Sequence, residues 1–130
     1  AIVGSRKMSQ YGKEVIDRLM EKLKSVEVVT IRVGGCNSEI IKRGAGKVFE
    51  GENFEKLNDD VANYADKLVI IEGGNNSGTL LLARNFVEKN KEVYCIPGRI
   101  FDEGSWATNW LIKEGAIPLI DVDSLTEDIQ

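Results

Sequence analysis

Histidine is absent from the chain. With it go His-based catalytic triads, His-ligated metals and the usual acid–base residue at neutral pH. Only two cysteines are present, Cys36 and Cys95, too few for a disulfide framework and without CxxC spacing. Cys95 lies in the apolar run Val93-Tyr94-Cys95-Ile96 and reads as a buried, inert thiol, for which a reducing cytoplasmic interior is the simplest home. No apolar run approaches the roughly 20 residues of a membrane span, and Ala1-Ile2-Val3-Gly4-Ser5-Arg6 is too short in apolar residues for a signal peptide. The chain starts without Met and inside what reads as a strand, as a fragment or a processed product would. Neither a Walker A loop nor a G-x-G-x-x-G after the first strand occurs. Carboxylates are plentiful, but no spacing marks a catalytic pair, so the expectation is a protein with no catalytic residue, cofactor or metal.

What is present is a globular composition: 130 residues, 42% hydrophobic and 29% charged, enough for one domain spanning residues 1–130 with its own core. Ile2-Val3 reads as a strand end, and Val15, Ile16, Leu19, Met20 and Leu23 recur at helical spacing behind Ser9, a plausible N-cap. Val26 to Val33 is β-branched and ends at Gly34-Gly35, with a short helix following through Ile40-Ile41. Lys47-Val48-Phe49 reads as a short strand and Glu55 to Tyr64 as a polar helix. Leu68-Val69-Ile70-Ile71 is a continuous apolar run of the kind found in a strand covered on both faces. Leu80 to Lys89 reads as a deeply buried helix. Val93 to Ile96, a helix over Ser105 to Lys113, and Ile117 to Ile120 complete the pattern, with Ser124 capping a final turn. Strand, glycine loop and helix thus alternate about four times, which predicts a three-layer, Rossmann-like α/β domain with a mostly parallel sheet and helices on both faces.

In such a sheet the strand-to-helix loops share the carboxyl edge, where ligands bind. Four of these loops are glycine-rich: Gly4-Ser5-Arg6-Lys7, Gly34-Gly35-Cys36-Asn37-Ser38, Gly73 to Thr79 and Pro97-Gly98-Arg99. Glycine admits a ligand close to the backbone, and helix starts offer unpaired N–H groups to an anion. The predicted phosphate- or nucleotide-binding residues are therefore Gly4, Ser5, Arg6, Gly34, Gly35, Gly73, Gly74, Ser77, Gly78, Thr79, Gly98 and Arg99. Glu72, at a strand end, is the one carboxylate on this crest, and Cys36, beside a helix start, is a candidate for a lowered thiol pKa.

The net charge of −4 is unevenly spread: residues 1–47 carry ten Lys/Arg against five Asp/Glu, and residues 48–130 carry seven against sixteen. A basic half on an acidic chain is compatible with a nucleic-acid surface. Arg6, Lys7, Arg32, Lys42, Arg43 and Arg99 are the cations predicted to meet DNA. Lys13, Arg18, Lys22 and Lys24 instead follow the polar side of a helix. With 7% aromatics in no ordered row, sequence preference is not expected.

Several segments together resemble the Rossmann domain of the DNA-processing protein A (DprA/Smf) family. Ala1-Ile2-Val3-Gly4-Ser5-Arg6 with Tyr11-Gly12 is similar to its opening signature. Ala65 to Glu72, then Ser77-Gly78-Thr79-Leu80 and Ala83-Arg84, resemble its central strand, loop and helix. Glu92 to Gly98 with Ser105, Asn109, Leu111-Ile112 and Gly115-Ala116 resemble its closing block, which adds Ser105 and Asn109 to the candidate phosphate-binding set. The resemblance implies binding of single-stranded DNA on the loop crest, loading of a RecA-type recombinase, and a homodimer, for which the Trp106/Trp110 helix offers a surface. The departures are specific. The family's second-loop motif survives only as Arg32 to Glu39, its long middle section is missing, and its Arg-Asn-Arg motif is reduced to Leu57-Asn58-Asp59. These losses leave a small nucleotide-binding or sensing domain as the alternative. Gly73-Gly74 and Gly78-Thr79 also resemble part of the motif of the related phosphoribohydrolases, but the acid that motif needs falls near Leu82. A binding module is better supported than an enzyme, with Glu72 and Glu39 the only carboxylates to consider for hydrolysis.

Overall fold

A computed structural model describes residues 1–129, with side chains through Leu125; the last residue of the expected 1–130 domain lies outside the described residues. The elements run β1 (Ile2–Val3), α1 (Gln10–Lys22), β2 (Val29–Ile31), α2 (Cys36–Lys42), β3 (Lys47–Phe49), α3 (Phe54–Tyr64), β4 (Lys67–Ile70), α4 (Thr79–Glu88), β5 (Glu92–Cys95), α5 (Trp106–Lys113), β6 (Ile117–Pro118) and α6 (Val122–Ile129). All strand pairings are parallel: β1-β4-β5-β6 form one sheet and β2-β3 a second. Register follows Ile2 opposite Val69 and Leu68 opposite Val93.

Period-two alternation in these strands builds the three layers. Ile2, Val69, Ile71, Tyr94 and Ile96 point to one face, where Ile16, Leu19 and Met20 of α1 and Ile40 of α2 cover them. Val3, Leu68, Ile70, Val93 and Cys95 point to the other, under Leu57 and Val61 of α3 and Leu82, Ala83 and Phe86 of α4. Ser9 caps α1 as its position predicts, its Oγ accepting the Gly12 N–H at 2.9 Å. Asn53 does the same for α3, its Oδ1 accepting from Lys56 N–H at 3.1 Å.

Three expectations are corrected. The strand expected over Val26 to Val33 pairs only at Val29–Ile31, because its parallel partner β3 offers three residues. The last strand is assigned only over Ile117–Pro118, with Leu119 N–H making one further bond to the Cys95 carbonyl at 2.8 Å before the chain turns into α6. Helix α4 is not buried all round: Leu82, Ala83 and Phe86 face the sheet, while Leu81 and Val87 are exposed, as suits an outer-layer helix.

Strands β1 and β2 lie side by side without a ladder. Asn37, buried at the start of α2, bridges them instead. Its Oδ1 accepts the Gly4 N–H at 2.9 Å, and its Nδ2 donates to the Ile31 carbonyl at 3.0 Å. One amide thus satisfies two backbone groups that a strand pair would otherwise satisfy. Asn37→Ala orphans both and is expected to cost about 2–3 kcal/mol. Urea unfolding should show a lower midpoint at unchanged m-value; an unchanged midpoint contradicts the bridge.

Candidate nucleic-acid interface

The chain runs from β1 outward to β2 and β3, then returns to β4 on β1's other flank. At that reversal the loops after β1 and β4 part, which is where open α/β sheets hold ligands. A cleft of about 750 Å³ opens there. One side is the loop from Gly4 to Lys7, the other the loop from Gly74 to Thr79. Asn37 and Asn58 lie on its floor, and Val33, Phe54 and Leu81 make an apolar wall.

The floor is organised by Glu72, only 4% exposed. Its Oε1 accepts the Ser9 N–H at 2.7 Å and its Oε2 accepts the Ser9 hydroxyl at 2.6 Å. The Cys36 thiol donates to Oε1 at 3.6 Å. Gly12 packs so tightly on this carboxylate that a Cβ there would collide with it. Glu72 therefore ties the end of β4 to the first turns of α1 and α2. Burial, with the Glu72 charge beside it, pushes the Cys36 thiol up to about 12; the candidate low-pKa cysteine is instead a neutral donor. Burial alone raises Cys95 to about 12. Glu39, the other carboxylate considered for hydrolysis, faces Arg43 at 3.1 Å and Lys13 at 3.7 Å. Both candidates are thus committed to the protein's own donors.

The glycines divide into two kinds. Gly4 packs on Cys36, Gly73 on Ser77 and Gly98 on Ser105, each so closely that a side chain would displace its neighbour. Gly35, at φ +56°, presses on the backbone of Ser5 and Arg6, and the Cys36 N–H donates to the Ser5 carbonyl at 2.9 Å. Gly34 and Gly78 face open space. Gly78 precedes α4 and has no side chain of its own to cap it. Beside it the Ser77 and Thr79 hydroxyls lie 2.7 Å apart, and Thr79 N–H donates to Ser77 Oγ at 3.2 Å. Ser77 thus caps the first turn, its carbonyl also accepting from Leu80 N–H at 3.2 Å, and the loop presents two hydroxyls and the positive end of α4 to the cleft, an arrangement suited to an anion.

Of the predicted site residues, Gly4, Ser5, Arg6, Lys7, Gly74, Ser77, Gly78 and Thr79 line the cleft. Gly34, Gly35 and Gly73 do not line it; Gly35 and Gly73 shape the loops that do. Gly98, Ser105 and Asn109 form a separate cluster under the loop after β5. There Asn109 Oδ1 accepts from Gly98 N–H at 3.2 Å and its Nδ2 donates to Gly98 O at 3.1 Å. Arg99 stands outside, 4.0 Å from Asp102. Arg32 pairs with Glu50 at 2.9 Å. Arg43 pairs with Asp17 at 2.9 Å and with Glu39; Lys42 is the last residue of α2 and Arg43 its C-cap, about 10 Å from the helix start. Among the described residues, Arg6 and Lys7 form no ion pair. The Arg6 guanidinium stands 5.8 Å from the centre of the Phe54 ring.

Sequence reasoning passed over Asn37 as a cleft residue, and also Asn58, Phe54 and Leu81. The last three come from helix faces whose direction only packing reveals. Where the resemblance expects two phosphate-binding arginines, Leu57 is in the core and Asp59 pairs with Lys89 at 3.0 Å. No helix among the described residues is long and apolar enough to cross a membrane, and none of their acidic and cysteine side chains cluster as a metal site.

Fold and cleft together define a Rossmann-like α/β domain with an open cleft at the topological switch point. The sequence model of the DNA recombination-mediator protein A family matches residues 38–130, and the chain belongs to that family. It is 33% identical over 78 residues to protein Smf of Escherichia coli K12, covering 60% of this chain and 21% of Smf. It is 21% identical to DNA processing protein DprA of Bacillus subtilis, covering 98% of this chain and 58% of that protein. The latter alignment spans 171 positions, so the relative carries segments this chain lacks. The chain thus spans little more than half of one relative and a fifth of the other. DprA from Streptococcus pneumoniae superposes with a TM-score of 0.83 at 21% identity, covering 97% of this chain and 59% of that one. DprA from Helicobacter pylori, whose structure concerns its single-stranded DNA binding mode, superposes at 0.81 with 17% identity, covering 98% and 78%.

The two kinds of glycine make opposite predictions. Gly35→Ala strains a left-handed residue and clashes with the first loop, so it should cost at least about 2 kcal/mol. Gly78→Ala, at φ −63° in open space, should be neutral or stabilising by up to about 1 kcal/mol. Thermal unfolding of both variants checks this; equal losses contradict the assignment.

Proposed function

We propose that this domain binds single-stranded DNA by its phosphates in the cleft between the loops after β1 and β4. The observation that carries this reading is the meeting of the hydroxyl-bearing, glycine-led start of α4 with Arg6 and Lys7 across one cleft, two cations that form no ion pair among the described residues. Ser5, Ser77 and Thr79 add hydroxyl donors, and Gly78 lets a phosphate reach the backbone. Family membership and the single-stranded DNA binding of the Helicobacter pylori relative support the same ligand. With Arg32 and Arg43 paired elsewhere and Leu57 and Asp59 in place of arginines, the cleft neutralises few phosphates, and binding is weak and steeply salt-sensitive.

The wider family role follows as part of the proposal: DNA processing in the cytoplasm, with hand-over to a RecA-type recombinase. Two copies would associate through the α5 face, where Trp106 and Trp110 stack at 5.9 Å, both partly exposed. A mononucleotide or dinucleotide is the second reading, favoured by a cleft volume in the range of small-ligand sites.

Fluorescence anisotropy with labelled oligo(dT) tests the proposal. Log affinity should fall with log salt at a slope of about −1.5 to −3, and Arg6→Ala with Lys7→Ala should flatten it by about 1.4. No affinity at low salt overturns the DNA reading. A nucleotide-induced rise in melting temperature without DNA retention selects the second.

A further inference from the structure

Between Gly98 and Glu103 the crest carries a feature that the cleft does not use. Asp102 N–H donates to Arg99 O at 3.1 Å, closing a β-turn whose two corner residues are Ile100 and Phe101. They are 83% and 88% exposed. Turn corners favour Gly, Asn, Asp, Pro or Ser, which tolerate or pre-set the bend and are easily solvated. A β-branched and an aromatic residue there gain no burial, and a local rule broken without a structural return is the mark of a functional position. The turn is held firmly. Gly98 is clamped by Asn109 through two hydrogen bonds, Ser105 N–H donates to Asp102 O at 3.0 Å, and Gly73 N–H donates to Gly104 O at 2.7 Å.

We infer that Ile100 and Phe101 are a stacking platform for the nucleobases of a strand leaving the cleft. The inference rests on the cleft holding that strand's phosphates. The turn is continuous with the cleft, since Glu103 and Gly104, directly after it, form part of the cleft wall. Asp102 and Glu103 repel phosphate, so the strand passes with its bases, not its backbone, turned toward the tip. Arg99, exposed and 4.0 Å from Asp102, offsets part of that acidity at the base of the turn. A rigid aromatic on a fixed turn loses little entropy on stacking, and stacking is indifferent to base identity.

The test compares oligo(dT) with an abasic oligodeoxyribose phosphate of equal length, using wild type, Phe101→Ala and Phe101→Trp. Phe101→Ala should lose roughly tenfold in affinity for oligo(dT) and nothing for the abasic strand, and Phe101→Trp should keep wild-type affinity for both. Because Phe101 is solvent-exposed, all three should melt alike. An equal loss on both strands, or no loss on either, overturns the platform while leaving the cleft reading intact. A change in the sedimentation of the free protein with Phe101→Ala overturns it in favour of a contact between copies. If wild type binds neither strand, the cleft reading fails, and the platform with it.

Discussion

The arrangement hangs on one buried carboxylate. Glu72 lies two residues past β4, yet its two oxygens are spent on Ser9 and Cys36, which begin the helices after β1 and β2. A charge at that depth is tolerable only with donors in place. The backbone N–H, the hydroxyl and the thiol that satisfy it come from two other loops. Three segments far apart in sequence are thereby drawn to one point beneath the cleft. Asn37 reinforces the same convergence by stitching Gly4 to Ile31. The rim above is consequently set by polar bonds below it, while the hydrophobic layers supply the bulk of the stability from the two faces of the sheet.

That division explains the cleft's chemistry. Most of its polar groups are neutral: amides from Asn37 and Asn58, hydroxyls from Ser5, Ser77 and Thr79, and backbone near Gly78. Only Arg6 and Lys7 bring positive charge. The remaining cations of the basic first half are held by carboxylates or stand on other surfaces; Lys13 and Arg43 close a network with Asp17 and Glu39 between α1 and α2. The charge asymmetry of the sequence is therefore largely consumed in ion pairs within and between neighbouring elements, and the cleft offers oriented dipoles more than net charge.

Much of this was legible in the chain because it depends on local rules. The apolar run ending at Ile71, the Ser9 cap and the alternation of strand with glycine loop fix the layers and put the four loops on one edge. What local rules do not carry is the direction of a side chain that depends on packing. Arg6 and Arg32 both sit in or beside crest loops, but only Arg6 remains unpaired, because Glu50 follows β3 next to Arg32. Gly73 and Gly78 are indistinguishable as letters; one is a packing contact and the other faces solvent. Phe54 reaches the cleft because Asn53 starts α3 there, in the stretch where the hydrophobic pattern is weakest.

The central claim is that the loops after β1 and β4 act as one surface toward a phosphate backbone. An NMR titration of the isotope-labelled chain with oligo(dT) tests it most directly. The account predicts that the amides of residues 4–7 and 74–79 shift together, with one common affinity. Shifts confined to the α1–α2 face around Arg18 and Arg43, or shifts in only one of the two loops, would contradict it.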